Sequence, residues 1–141
     1  MNREILFRGK KSNGRWVYGS LVVSENIAPA IYYNISKGVA DVLDWCYVTP
    51  DTIGQYTGLK DKNRVKIFDG DIVRFSYITD GLKPIEIECL AKVVFEDGSF
   101  MIKCVKGHVH NSMQRALFAM DYFNIKVEVV GNITDNPELM K

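Results

Sequence analysis

The fold class is decided by residues 85–105, which read Ile85-Glu86-Ile87-Glu88-Cys89-Leu90-Ala91-Lys92-Val93-Val94-Phe95-Glu96-Asp97-Gly98-Ser99-Phe100-Met101-Ile102-Lys103-Cys104-Val105. Apolar and polar residues alternate at the start of this stretch, which predicts a half-buried strand with Ile85, Ile87 and Cys89 on one face. Asp97-Gly98 then lies between two apolar runs, and this pair favours a β-hairpin because both residues tolerate a positive φ. The stretch therefore predicts antiparallel β structure.

Short apolar runs separated by turn residues continue on both sides of this stretch. The other predicted strands cover residues 4–8, 15–23, 31–33, 42–48, 72–77 and 125–130. Asn13-Gly14 predicts a hairpin between the first two, whereas the Gly- and Asp-rich segment that starts at Asp51 is predicted as turns. The expected fold is therefore mostly all-β, with a hairpin-rich N-terminal part.

One segment departs from the β pattern. Apolar residues at positions 113, 116, 117 and 120 fall at helical spacing, and Asn111 or Ser112 can cap the first turn. This pattern predicts one short helix near 112–123, about three turns long and packed on a sheet. A Met-rich stripe of this kind is more typical of a protein core than of a ligand site.

The composition indicates one folded, soluble domain. The chain has 141 residues, of which 47% are hydrophobic and 25% charged, and its formal net charge is +1. The longest uninterrupted apolar run is five residues, too short for a membrane span, and the N-terminus lacks the apolar segment of a secretory signal.

Three cysteines without C-x-x-C spacing fit buried thiols in a reducing cytosol.

A basic cluster lies beside aromatic residues near the N-terminus. The candidate nucleic-acid contacts are Arg8, Lys10, Lys11, Arg15 and Trp16, because cations bind phosphate and aromatic rings stack on bases. The alternative is a solvated strand edge on which Lys and Arg discourage pairing with another sheet. The near-neutral charge of the whole chain favours this alternative.

The motifs of known catalytic and metal sites are missing or incomplete. His108 and His110 would point the same way on a strand, so Cys104 or a distant carboxylate could complete a metal site, but two surface histidines are the favoured interpretation. Asp69-Gly70-Asp71 favours a turn over a catalytic carboxylate pair. The sequence therefore predicts a protein that is not an enzyme and that needs no cofactor or metal.

Sequence blocks spread over nearly the whole chain resemble the YopX family of phage and prophage proteins. They are Phe7-Arg8-Gly9-Lys10, Trp16-Val17-Tyr18-Gly19, Thr52-Ile53-Gly54-Gln55-Tyr56-Thr57-Gly58-Leu59-Lys60-Asp61-Lys62-Asn63, Phe68-Asp69-Gly70-Asp71-Ile72-Val73, Val94-Phe95 before Gly98-Ser99-Phe100, and Val130-Gly131-Asn132-Ile133 through Asn136-Pro137-Glu138-Leu139. The resemblance implies a mostly β fold and a phage or prophage gene expressed in a bacterial cytosol. The family has no assigned catalytic residues, so none is carried over.

One position departs from the family pattern, which usually reads Asp-Lys-Asn-Gly. Arg64 follows Asn63 here, and because Arg resists a positive φ, either Asn63 adopts the left-handed conformation or the turn differs. By analogy, residues 67–73 also resemble the entrance to the first long strand of SH3-like barrels. We therefore expect a single domain over 1–141, with a hairpin-rich part over 1–50 and an SH3-like barrel with a C-terminal tail over 51–141.

The leading functional hypothesis is a non-enzymatic phage or prophage accessory protein in the bacterial cytoplasm. It would act by protein–protein binding or self-assembly, because short strands offer edges and aromatic faces to a partner. A homo-oligomer is expected, and a host or phage protein is the other candidate partner; no membrane partner is expected. The alternative hypothesis is a nucleic-acid-binding module that uses the N-terminal basic cluster and the adjacent aromatic residues.

Overall fold

The protein is built almost entirely of antiparallel β-strands, which confirms the predicted fold class. A computed structural model describes residues 2–106 and 114–141. The strands are β1 (Phe7–Lys10), β2 (Trp16–Ser24), β3 (Ile27–Asn34), β4 (Leu43–Tyr47), β5 (Gly54–Lys60), β6 (Lys66–Phe68), β7 (Asp71–Ile78), β8 (Glu86–Glu96), β9 (Ser99–Lys106), β10 (Gln114–Ala116) and β11 (Glu128–Asn132). The other elements are a four-residue helix, α1 (Ala119–Tyr122), and 3₁₀ turns at Pro50–Thr52 and Pro137–Met140.

The chain forms two compact units, Met1–Gly58 and Leu59–Lys141. The division falls later in the chain than residue 50, where the sequence places it. Strand β5 begins in the first unit and ends in the second, where β6 is its neighbour. The predicted turn-dense segment after Asp51 thus contains a strand, because pairing of Gly54 and Gln55 with β1 outweighs the turn preference of its glycines.

The sheet order in the first unit is β4-β3-β2-β1-β5, and strand β2 pairs with a different strand along each half of its length. Its first half pairs with β1 and its second half with β3. The change of partner occurs next to Gly19, where a Cβ atom would collide with the backbone carbonyl of Tyr32. A glycine is therefore required where the backbone of β3 comes closest to β2.

The sheet of the first unit curls back on itself. Just after β4, the N–H of Thr49 donates to the carbonyl of Lys10 on β1 at 2.8 Å, although β1 and β4 are separated by two strands in the sheet order. The concave side carries Ile31 and Val48, both almost completely buried. The predicted Asn13-Gly14 hairpin is confirmed, with Gly14 at φ 85°.

The second unit contains a five-stranded sheet of order β10-β9-β8-β7-β11. Its core occupies one face and consists of Ile67, Val73, Phe75, Cys89, Ala91, Val93, Ile102, Cys104, Leu117, Met120 and Val127. The predicted alternation in β8 is confirmed for Ile87 and Cys89, whereas Ile85 precedes the strand and is exposed. The Asp97-Gly98 hairpin is also confirmed, with both residues at positive φ. An SH3-like barrel stays a prediction.

The predicted helix near 112–123 is present but short. From residue 114 onwards it covers only Ala119–Tyr122, and Gln114–Ala116 forms β10 instead, while the cap candidates Asn111 and Ser112 lie outside the described residues. Backbone pairing of β10 with β9 accounts for this difference, because sheet partners supplied by the tertiary structure override local helical spacing.

The turn between β5 and β6 places Arg64 in the left-handed region, with φ at 65°. The sequence suggested that either Asn63 adopts the left-handed conformation or the turn differs; Arg64 itself, and not Asn63, adopts it. Asp61 fixes this geometry because its Oδ1 accepts the N–H groups of Asn63 and Val65 at 2.8 and 2.9 Å. Its Oδ2 accepts the N–H of Val129 at 2.9 Å, which ties the turn to β11. These hydrogen bonds hold Arg64 in a conformation that its Cβ disfavours.

Replacing Arg64 with Gly should stabilise the protein by about 0.5–1 kcal/mol. Glycine adopts a positive φ without the Cβ penalty, and this gain exceeds the additional chain entropy that glycine loses on folding. The melting temperature in differential scanning calorimetry should rise by about two to four degrees. Arg64→Lys retains the Cβ and serves as the control, with an unchanged melting temperature. A lower melting temperature for Arg64→Gly would contradict this account of the turn.

Candidate functional site

Strand pairing in the first unit places aromatic side chains from three strands on one face. Tyr32 on β3 lies opposite Ser20 on β2 and opposite Trp45 on β4. Side chains that lie directly opposite share a face, and side chains two residues apart on a strand share it too. The resulting surface, which we call the aromatic face, comprises Tyr18, Val22, Tyr32, Leu43, Trp45 and Tyr47.

The aromatic face is open to solvent. Trp45 and Tyr47 are 45% and 51% exposed, and Tyr18 is 48% exposed. The apolar members Val22 and Leu43 are also exposed. Large aromatic side chains normally contribute to a core, so several of them together on one exposed sheet face mark a surface suited to contact with another molecule.

The aromatic rings of this face pack against one another. Tyr32 and Trp45 are stacked with their ring centroids 6.1 Å apart, and Trp45 meets Tyr47 edge-on at 5.0 Å. Both arrangements are favourable for aromatic pairs. Because the rings restrain one another before any partner arrives, binding would cost less side-chain entropy than it would for isolated side chains.

Strand β4 lies at the end of the sheet order. Through Leu43–Tyr47 it pairs with β3 on one side, and among the described residues no strand is its neighbour on the other side. The N–H of Trp45 donates to the Asp44 carboxylate at 2.8 Å, which occupies one backbone donor of this edge. The aromatic face thus ends at a strand edge of the kind that pairs with a further strand.

The structure brings together three of the five candidate nucleic-acid contacts. The guanidinium of Arg8 lies 4.9 Å from the centre of the Trp16 ring, and Lys10 Nζ lies 5.7 Å from it. Arg8 is only 7% exposed, so its cation is directed to the protein's own aromatic ring more than to solvent. Lys11 is half-buried and Arg15 is exposed, both at the β1–β2 hairpin.

Asp71, one of the acidic candidates, has a structural role. Asp71 is 2% exposed, and its Oδ2 accepts the N–H of Phe68 at 2.7 Å across a turn in which Gly70 has a φ of 90°. The turn interpretation of Asp69-Gly70-Asp71 is therefore confirmed. Within residues 2–106 and 114–141, no three His, Cys, Asp or Glu side chains converge as metal ligands, and His108 and His110 lie outside the described residues.

The three cysteines have free thiols in contrasting environments. Cys46 on β4 is half-buried, whereas Cys89 and Cys104 lie in the core of the second unit. Burial raises the pKa of the Cys89 thiol to about 12, and the neighbouring Cys104 adds to that rise. The prediction of buried thiols is thus confirmed for Cys89 and Cys104, whereas Cys46 is only half-buried.

The sequence pattern does not predict the aromatic face as a unit. The period-two spacing of Trp45 and Tyr47 indicates that they share a face, but the spacing does not tell which face is inside. The close approach of β3 to Gly19 of β2 decides that question, and Gly19 was the available signal.

Comparison with known proteins gives a family and a fold. Residues 6–141 match the family described as YopX protein. The chain is similar to a crystal structure of protein EF1440 from Enterococcus faecalis, with a TM-score of 0.61 and 21% identity over 99% of this chain and 100% of that one. At this identity the likeness concerns the fold alone. No curated protein matched, and none of the helices in the described part of the chain could span a bilayer.

Thiol alkylation should distinguish the cysteines. Iodoacetamide at pH 8.5 should modify Cys46 first, and Cys89 should react only after unfolding in guanidinium chloride. At pH 10 the Cys89 thiol should remain protonated in the folded protein, because its pKa is about 12, whereas in the unfolded chain it ionises near 8.5. Peptide mass spectrometry locates the label, and Cys46→Ser serves as the control. Equal labelling of Cys89 and Cys46 in the folded protein would contradict the burial.

Proposed function

The chain belongs to the YopX family, and from this premise we propose that it works by binding protein, first of all a second copy of itself, through the aromatic face. The observation that carries the proposal is the mutually packed set of Tyr32, Trp45 and Tyr47 beside the edge of β4, in which Tyr32 is half-buried and Trp45 and Tyr47 are exposed. Tyrosine and tryptophan are enriched among the residues that contribute most to protein interfaces.

Two kinds of contact would combine at this surface. The rings offer apolar area whose removal from water contributes about 25 cal/mol per Å². The outer edge of β4 offers backbone groups to a second strand, which fixes the orientation of the partner. A symmetric dimer satisfies both, because two β4 strands can pair antiparallel and bring their Trp45 rings together.

We further propose that the protein is a phage or prophage accessory protein of the bacterial cytoplasm and that it catalyses no reaction. The free thiols support a reducing compartment. Asp61 and Asp71 accept hydrogen bonds from backbone N–H groups, a turn-forming role that supports a structural rather than a catalytic use of these carboxylates. An SH3-like barrel in the second unit forms part of the same proposal.

Replacing Trp45 with Glu should shift the protein towards monomer, because a charge would be buried in the contact and the central ring would be lost. Size-exclusion chromatography with light scattering, performed over a hundredfold range of concentration, measures the change. The dissociation constant should rise by at least tenfold, which corresponds to about 1.4 kcal/mol.

The matched control is Val39→Glu, which adds the same charge to a fully exposed apolar residue in the first unit outside the aromatic face. Its association should equal that of the unmodified protein. A protein that stays monomeric at millimolar concentration would contradict self-association, and identical behaviour of the Trp45 and Val39 variants would contradict the aromatic face as its site.

Nucleic-acid binding is the second candidate function. The register between β1 and β2 supports nucleic-acid binding. Lys10 pairs with Trp16 and Arg8 with Tyr18, which places cations and aromatic rings side by side on the two strands. Stacking on such rings tolerates any base sequence and combines with phosphate contacts.

This second function predicts salt-dependent binding of single-stranded DNA or RNA that the triple variant Lys10→Ala, Lys11→Ala, Arg15→Ala abolishes. Arg8 is left intact because it is buried against Trp16. Fluorescence anisotropy between 50 and 200 mM salt measures the dependence, since each lost phosphate contact flattens the salt slope. Unchanged binding by the triple variant would eliminate this function.

A further inference from the structure

The second unit contains a half-open cavity of about 380 Å³ with an aliphatic floor. The floor is formed by Leu59, Ile67, Leu117, Met120, Ile125 and Val127. Ile67, Leu117 and Met120 are almost completely buried and belong to the core of this unit, so the floor is held in place by the packing of the sheet. The volume falls within the range of small-molecule sites rather than of packing defects.

The rim of this cavity is cationic. Four basic side chains line it, from Lys60, Lys62, Arg64 and Lys126, against a single carboxylate from Asp61. That carboxylate accepts the backbone N–H groups of Asn63, Val65 and Val129, so it acts as part of the scaffold. Of the four cations, Lys62 also forms an ion pair with Glu128 at 3.4 Å. The opening is therefore suited to an anion.

The backbone conformation of Arg64 is a second, independent observation that points to an anion-binding role for this rim. Arg64 keeps a positive φ of 65° at the rim, a conformation that costs a residue with a Cβ about 1–2 kcal/mol. Strain of this kind concentrates at functional positions, where a side chain is needed in spite of its backbone cost. The strained backbone presents a guanidinium at the cavity rim, and guanidinium binds carboxylate and phosphate through paired hydrogen bonds.

We propose that this cavity binds a small amphipathic anion, with an aliphatic body on the floor and a carboxylate or phosphate head at the cationic rim. None of the lining residues among the described part of the chain is aromatic, so the floor favours an alkyl chain over a stacked nucleobase. The site lies wholly within the second unit and does not depend on the aromatic face.

Isothermal titration calorimetry with four probes tests the proposal. Octanoate or octyl phosphate should bind with one molecule per chain, and the tighter of the two identifies the preferred head group. Octanol, which lacks the charge, and inorganic phosphate, which lacks the alkyl body, should each bind at least tenfold more weakly. Equal binding of octanol, or no binding of either amphipathic anion, would overturn the proposal.

Variants locate the binding. Arg64→Gly should weaken binding of the tighter anion about fivefold, or about 1 kcal/mol. Because the same substitution raises the melting temperature, a loss of affinity cannot be attributed to unfolding. Lys126→Glu should weaken it further, whereas Lys83→Glu, which lies outside the cavity, should leave affinity unchanged. Trp45→Glu should also bind normally, which separates this site from self-association. If Arg64→Gly and Lys126→Glu both bind as tightly as the unmodified protein, the cavity is not the site.

Discussion

The close approach of the Tyr32 backbone to Gly19 is the constraint on which the first unit depends. At this point β2 leaves β1 and begins to pair with β3, and the sheet curls so that Thr49 returns to Lys10. Any side chain at position 19 would separate the two strands, and the curl and the pairing that follow from it would be lost. The glycine of the Trp16-Val17-Tyr18-Gly19 block therefore has a structural role.

The curl determines which side chains face water. Ile31 and Val48 fill the concave side, while Trp45 and Tyr47 remain outside with their rings packed together. The first unit thus presents a surface with the composition of a binding site. The second unit differs, because its sheet packs its core on one face and its strained turn at Arg64 places a cation beside an aliphatic cavity.

Local patterns predicted the strands and hairpins, because alternation and Asn-Gly or Asp-Gly pairs act over a few residues. They failed where distant pairing decides the outcome: β5 forms in a glycine-rich segment because β1 provides its partner, and Gln114–Ala116 joins β9 instead of extending a helix. Arg8 and Trp16 were grouped from the sequence as candidate contacts, but the burial of Arg8 follows from packing that the sequence does not show. Arg64 shows the same limit, since the hydrogen bonds that backbone N–H groups donate to the Asp61 carboxylate overcome its intrinsic preference.

The central claim is that the aromatic face and the edge of β4 bind a second protein molecule. The most direct test is hydrogen–deuterium exchange of the backbone amides at low and high protein concentration. Pairing of β4 with another strand would protect its amides, because exchange requires the new hydrogen bonds to open. Our account predicts slower exchange in Leu43–Tyr47 at high concentration, with no change in β8, the central strand of the second unit's sheet. Equal exchange of Leu43–Tyr47 at both concentrations, in a sample that light scattering shows to be associated, would contradict it.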